Sequence, residues 1–229
     1  MPHSYCATLV RTHDYDHYLC ALFAPVHVRE TWFALFAFNY EIAAIAERVN
    51  EEMAGLLRFA WWREALDQIY AGGAVPHHPV VEALARVVRE HHLPRALFDT
   101  MLAARAEDVY GERFTDFAAL EQYCRDTSSG LLQLCASVAG VPATPALESL
   151  GVAWALIAMA RLKEGDRTEL LHAAATHLKA VQQMQDSLPL FMPFAQVCEF
   201  YLNQLQKSKS THRLLLVLTL WRKNLFSFR

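Results

Sequence analysis

The chain has 229 residues, enough for one domain with a sizeable core, and a formal net charge of -3, too near neutral to suggest nucleic-acid binding. With 54% hydrophobic and only 20% charged residues it is composed to fold, not to stay disordered. Five cysteines, an odd number with no C-x-x-C pair, fit neither a disulfide framework nor a zinc site and read as reduced, mostly buried thiols.

Met1 to Cys6 shows neither a basic segment nor an apolar run of the kind a secretion signal needs, and the uncharged runs elsewhere fall short of a bilayer's thickness. Glycines and prolines then punctuate long stretches rich in Ala, Leu, Glu and Arg, with no sustained apolar/polar alternation, so the expectation is all-α. In chain order the predicted helices are 14 to 24, 29 to 50, 52 to 71, 80 to 92, 95 to 110, 116 to 139, 145 to 163, 167 to 187 and 194 to 226, the last broken near Ser208.

The charge is uneven along the chain. From Lys207 onward there are six basic residues and no acidic one, leaving fifteen basic against twenty-four acidic side chains before that point. Lys207 to Thr211 reads as a short exposed turn. Leu214 to Trp221 is apolar on every face, so it either inserts between helices or meets a membrane surface with its basic flanks.

Several clusters carry chemistry-bearing side chains, each with a plainer reading beside it. His13 and His17 stand four apart with Asp14 and Asp16 between them, a spacing that holds a metal when a third ligand exists; none is identifiable, and an exposed helix start accounts for the pattern. His77, His78, His91 and His92 sit beside prolines in connections and are expected to face solvent. Trp61 and Trp62 with Arg58 and Arg63 either line an apolar pocket, where aromatic faces stabilise a cation, or pack in the core with the arginines reaching out to water. No glycine-rich phosphate loop and no nucleophile, base and acid at local catalytic spacing are present.

Five stretches in order resemble the squalene/phytoene synthase family: Tyr18 to Pro25 with Arg29, Ala34 to Ile42, Arg58 to Asp67, His91 to Pro94, and Leu120 to Arg125 leading to Ser129 and Gly130. Phe-Asn-Tyr-Glu-Ile and Trp-Trp-Arg-Glu-Ala are especially similar to a branch that holds bacterial members and the mitochondrial complex I assembly factor with a phytoene-synthase-like domain. The resemblance implies an isoprenoid synthase-like helical bundle around a central cavity, here one partly truncated domain over 1–229 with a deletion near 162–168 and a basic, apolar C-terminal helix at 207–229.

Catalytic members join two prenyl diphosphates, whose negative charge is neutralised by Mg²⁺ held on carboxylates one helical turn apart, while an apolar cavity shields the carbocation. The resemblance places the first Asp-Asp-x-x-Asp on Ala43, Ala44, Ile45, Ala46 and Glu47, so two of three carboxylates are missing. Glu41, six residues earlier on the expected helix, would point away from Glu47, whereas Glu47 and Glu51 would share a face. In the second motif Leu150 to Ala153 leads to Arg161, Leu162 and Asp166; the first aspartate is Leu162, Gly165 is expected to end the helix, and the segment that should follow is absent.

Carried over residue by residue, the resemblance implies Glu47 and Asp166 as the remaining catalytic and magnesium-binding carboxylates. It implies Arg29, Tyr40, Arg58, Trp62, Tyr123, Ser129 and Arg161 as substrate-binding side chains, with Ser129 and Gly130 equally readable as a small-residue helix crossing. The leading expectation is a non-catalytic lipid-binding or complex I assembly-type factor without a cofactor. Its partners would be an isoprenoid or other lipid, a protein in an assembly role and a membrane surface met through 207–229. Its place would be the bacterial cytoplasm or the matrix side of the mitochondrial inner membrane. The alternative is an active Mg-dependent prenyltransferase using Glu47, Asp166 and Glu107 or Asp108.

Overall fold

The computed structural model describes residues 4–111, 114–184, 187–207 and 213–224, and none of these is in a strand. The backbone divides into two compact units, residues 1–143 and 144–229.

Among the described residues the first unit holds nine α-helices: α1 (Tyr5–His13), α2 (Tyr15–Leu22), α3 (Val26–Ala43), α4 (Ile45–Arg48), α5 (Glu52–Tyr70), α6 (Pro79–His91), α7 (Arg95–Glu107), α8 (Phe117–Cys124) and α9 (Gly130–Ala139). A 3₁₀ turn (Asp108–Tyr110) extends α7, and a π turn (Arg125–Ser129) joins α8 to α9. α3 is apolar nearly all round, with Trp32, Phe33, Leu35, Phe36 and Phe38 buried, and such a helix must be covered on every side. It packs on α1, α2, α6 and α9, and the indole of Trp32 donates to the Cys135 carbonyl on α9 at 3.1 Å. Phe38 meets Trp62 of α5 and Phe98 of α7 edge to face at 5.3 and 5.4 Å, so one aromatic cluster ties three helices together.

The second unit is built on α10 (Pro145–Leu162), α11 (Thr168–Gln183), α12 (Met192–Gln206) and α13 (Arg213–Asn224). Pro145 opens α10 with the Thr144 hydroxyl accepting from the Leu147 amide at 3.2 Å, a regular N-terminal cap. α10 is long and apolar enough to cross a membrane, but over half of it is buried, and it packs on α11 and α12, so its apolar surface serves this unit's core. α13 lies on α12 and buries Leu216 and Leu220 while Leu215 and Leu218 stay about half exposed. Among its described side chains one face is therefore buried and another exposed, and the sequence had left insertion between helices and membrane contact open. The expected turn at 208–211 lies outside the described residues.

Several expectations need correction. α1 was not foreseen; Ser4 caps it by accepting from the Ala7 amide at 3.1 Å, and Cys6, Ala7 and Val10 bury its inner face. The helix expected over 29–50 breaks after Ala43, and Val49 and Glu51 are extended, with a bend at Asn50 between them, before α5 begins. Glu47 and Glu51 therefore do not share a helix face, and the angular argument that set Glu41 apart from Glu47 no longer applies. His13 ends α1 and stacks on Tyr40, while His17 lies on α2, buried and hydrogen-bonded to Asp14 at 2.7 Å, so neither belongs to one exposed helix start. All five cysteines are buried thiols and none forms a disulfide.

Candidate functional site

In the first unit the break between α3 and α4 turns the chain so that polar side chains seven residues apart face each other. Arg48 donates to Glu41 at 3.2 Å and to the Tyr40 hydroxyl at 2.6 Å, with its guanidinium 5.0 Å over the Tyr40 ring. Beside this cluster is a cleft of about 170 Å³ lined by Glu41, Ile45, Arg48, Arg58, Trp61, Trp62 and His78. Its wall is aromatic: Trp61 and Trp62 meet edge to face at 5.1 Å, and the His78 ring lies 5.5 and 5.7 Å from them.

Two sequence candidates, Arg58 and Trp62, thus line one cleft, and a third, Tyr40, is tied to it through Arg48. Trp62 is buried, whereas Trp61 keeps 37% of its surface exposed, so the pair is half core and half cleft wall. Arg58 is exposed and, among the described residues, enters no ion pair. His78 was expected to face solvent. Instead the 71–78 connection lays it on the two tryptophans, and its Nδ1 is buried without a hydrogen-bond partner. Arg48 and His78 were not among the sequence candidates. Only the break at Ala44 and the path of the connection bring them in, and neither has a residue-type signal.

Tyr123 belongs to a second cluster in the same unit. Its hydroxyl donates to Asp108 at 2.7 Å and accepts from Arg105 at 2.5 Å, and Arg105 lies 5.3 Å over its ring. Burial pushes the Tyr123 phenol well above its ordinary value, with Asp108 adding to the rise and Arg105 opposing it. Asp108, a possible stand-in carboxylate in the sequence, is therefore already committed to Tyr123. Ser129 is buried at the end of the π turn, and a side chain at Gly130 would touch Met101 at 3.4 Å, which gives that glycine a packing reason. Arg29 enters neither cluster and donates to the carbonyl of Ala24, in the turn between α2 and α3, at 2.7 Å.

The second-unit candidates are placed differently. Arg161 is exposed with its guanidinium 3.8 Å over the Tyr201 ring. Leu162 exposes 83% of its surface, and Asp166 is fully exposed, accepting from the Thr168 amide at 2.9 Å where α11 begins. Hydrogen bonds from the Thr168 side chain and backbone hold the Asp166 carboxyl below its ordinary value, with nearby Lys163 adding slightly.

The donor set does not fit Mg²⁺. A magnesium ion that neutralises a diphosphate needs several oxygen ligands in octahedral array. Glu47 is exposed on a four-residue helix, Asp166 is occupied at a helix start, and no three His, Cys, Asp or Glu side chains gather among the described residues. What the first-unit cleft does offer is a cation without a counter-ion, an aromatic wall and an unfilled hydrogen-bonding position.

Residues 10–170 match the family model for squalene/phytoene synthase, a stretch that runs from the first unit into the second. The bovine (Bos taurus) protein named NADH dehydrogenase (ubiquinone) complex I, assembly factor 6 is 36% identical over 137 residues, covering 60% of this chain and 41% of that protein. Its human counterpart is 34% identical over 137 residues with the same coverage. A phytoene synthase from Cereibacter sphaeroides is 34% identical over 125 residues, 52% of this chain and 35% of that enzyme. The chain spans about two fifths of the length of the assembly-factor relatives it matches. Among solved structures, a ligand-bound dehydrosqualene synthase superposes with a TM-score of 0.71 at 18% identity, covering 98% of this chain and 96% of that one. A squalene synthase from Alicyclobacillus acidocaldarius gives 0.62 at 16%, covering 96% and 93%. At those identities the two structures speak for the fold alone.

Proposed function

This chain belongs to the squalene/phytoene synthase family, and we propose that within it the protein is a non-catalytic factor of the complex I assembly type. One observation carries the reading: of the five positions that the resemblance matches to the family's first acidic motif, only Glu47 carries a carboxylate. Ionising a prenyl diphosphate without metal-held neutralisation leaves the charge on the leaving group unanswered. The likeness to proteins named complex I assembly factor 6 supports the same reading. In this account the helical frame binds an isoprenoid or other lipid without reacting, and its working partner is a protein. It acts in the bacterial cytoplasm or at the matrix side of the mitochondrial inner membrane, touching the membrane peripherally through 207–229.

The likeness to the Cereibacter phytoene synthase favours a second reading, a Mg-dependent enzyme joining two prenyl diphosphates. Both are tested together. Purified, helical, monodisperse protein is incubated with Mg²⁺ and farnesyl or geranylgeranyl diphosphate while diphosphate release and prenyl products are followed. In parallel, complex I content is measured in cells from which the chain has been deleted and then restored as wild type or as Glu47→Ala. The expected result is no diphosphate release and full restoration by both forms. Release that Glu47→Ala or Asp166→Ala abolishes would overturn the non-catalytic reading.

A further inference from the structure

On α5, Met53, Leu57 and Trp61 stand four residues apart and expose 64%, 64% and 37% of their surface. Each step of four advances a side chain by about 40° around the helix and about 6 Å along it, so the three form a row roughly 12 Å long. The row starts opposite the buried face of Gly55, Phe59 and Leu66 and drifts until Trp61 becomes a wall of the cleft. Singly exposed apolar residues need no explanation, but a contiguous row that runs into a concave polar site marks an interaction surface.

The charge at the end of the row is unbalanced. Arg48 is answered by Glu41 at 3.2 Å, whereas Arg58 faces the same cleft with no ion pair among the described residues. Next to them the buried Nδ1 of His78 has no partner. A carboxylate entering the cleft meets a guanidinium able to hold it through two parallel hydrogen bonds.

We propose that the row and the cleft form one docking surface for an amphipathic helix of a partner protein, whose apolar side chains lie on Met53, Leu57 and Trp61 and whose carboxylate reaches Arg58. This rests on the assembly-type reading, since a protein partner is what that reading requires. An anionic membrane fits the same surface poorly, because Glu52 and Glu64 are exposed on the helix that carries the row and a negative leaflet repels them, and because it would leave the single unpaired Arg58 in a cleft rather than on a basic face. A small anion alone would account for the cleft and leave the row unexplained.

The test uses the full chain and synthetic fluorescein-labelled helical peptides of fifteen residues with three leucines four apart and a flanking glutamate, compared with forms carrying glutamine or lysine in its place. Anisotropy titrations should show the glutamate peptide binding about tenfold tighter than the lysine peptide. Arg58→Glu should invert that preference, and Leu57→Ser should weaken every peptide about tenfold with the circular dichroism unchanged. The proposal is overturned if no peptide saturates, if Arg58→Glu leaves the preference as it was, or if the two substitutions change binding only to vesicles containing anionic phospholipid. A second arm returns wild type or the Leu57→Ser, Arg58→Glu double variant to cells lacking the chain and measures complex I. Restoration by wild type alone supports the surface and restoration by both overturns its role. Failure of wild type itself overturns the assembly reading and leaves the peptide result standing.

Discussion

The segments 43–48 and 161–169 both stand where the family resemblance expects acidic motifs, yet they have come to opposite structural states. In the first, the chain carries Ala43, Ala44 and Ile45, with Ala44 and Ile45 buried, and the surviving polar groups are drawn into a local network in which Arg48 joins Tyr40 and Glu41. In the second, every residue from Arg161 to Asp166 is exposed, and Asp166 serves the start of α11. Removing carboxylates next to a well-packed core leaves a site that other polar groups can occupy. Removing them from a solvent-facing connection leaves a connection. The lesson is that new binding chemistry is to be sought at the α3 to α5 junction, where a rigid frame holds it.

That frame is the first thing to break. Phe38 has no exposed surface and contacts both Trp62 and Phe98, so Phe38→Ala removes the common partner of α5 and α7. Burial of this kind is worth about 3 to 5 kcal/mol on truncation to alanine. Urea unfolding followed by tryptophan fluorescence should show a loss of that size, together with loss of peptide binding at the Trp61 cleft. An unchanged midpoint would mean that the aromatic cluster does not hold the junction.

A pH titration sharpens the same contrast. Burial raises the Cys6 thiol from 9.0 to about 11 and the Cys124 thiol from 9.0 to about 12; Glu30 adds to the first and Glu121 to the second, while neighbouring arginines act against both. Because the folded values lie above the unfolded ones, the stabilisation is fully present below pH 9.0, where both states keep the proton. It is lost as pH rises through about 11 and about 12. A shift of two units corresponds to about 2 to 3 kcal/mol. The first unit should therefore weaken between pH 9 and 11 in urea melts, and Cys6→Ala should flatten that slope while lowering stability at pH 7 by a smaller amount.

Much of the frame was legible in the sequence because it is written in strong local signals. Pro79, Pro94 and Pro145 mark helix starts within a residue or two of where α6, α7 and α10 begin, and Gly140 ends α9 with a positive φ of 67°. The run Trp32 to Phe38, apolar throughout, lies within the helix predicted over 29–50 and is buried in α3. Part of the cleft was legible: Arg58 and Trp62 were named and line it, while Tyr40 reaches it only through Arg48. What escaped the sequence depends on backbone that turns without an unusual residue. Ala44 and Val49 carry no stop signal, the weak helix formers Asp126, Thr127, Ser128 and Ser129 of the π turn do not by themselves tell it from a continuous helix, and His78 is positioned by a connection whose path only the folded chain defines.

The smallest expected effect separates the α3 to α5 junction, to which Gly55 belongs, from the 161–169 connection by the reason each needs glycine. Gly55 has helical φ, but a Cβ there would sit 2.9 and 3.0 Å from the two methyls of Val109 and 3.3 Å from Val49, stiff β-branched neighbours that cannot rotate aside cheaply. Gly165 has open space around it and a φ of +82°, where a side chain strains the backbone. Gly55→Ala gains about 1 kcal/mol of helix propensity and loses about 1 to 3 kcal/mol to overpacking, for a net loss of about 1 kcal/mol. Gly165→Ala costs about the same through φ alone. Asparagine tells them apart: it tolerates the left-handed region, so Gly165→Asn should recover most of the loss in thermal melts, while Gly55→Asn, bulkier at the Val109 contact, should be worse than alanine. Equal behaviour of the two asparagine variants would mean that the α5 junction yields as readily as the exposed connection, and the contrast between the two segments would fall.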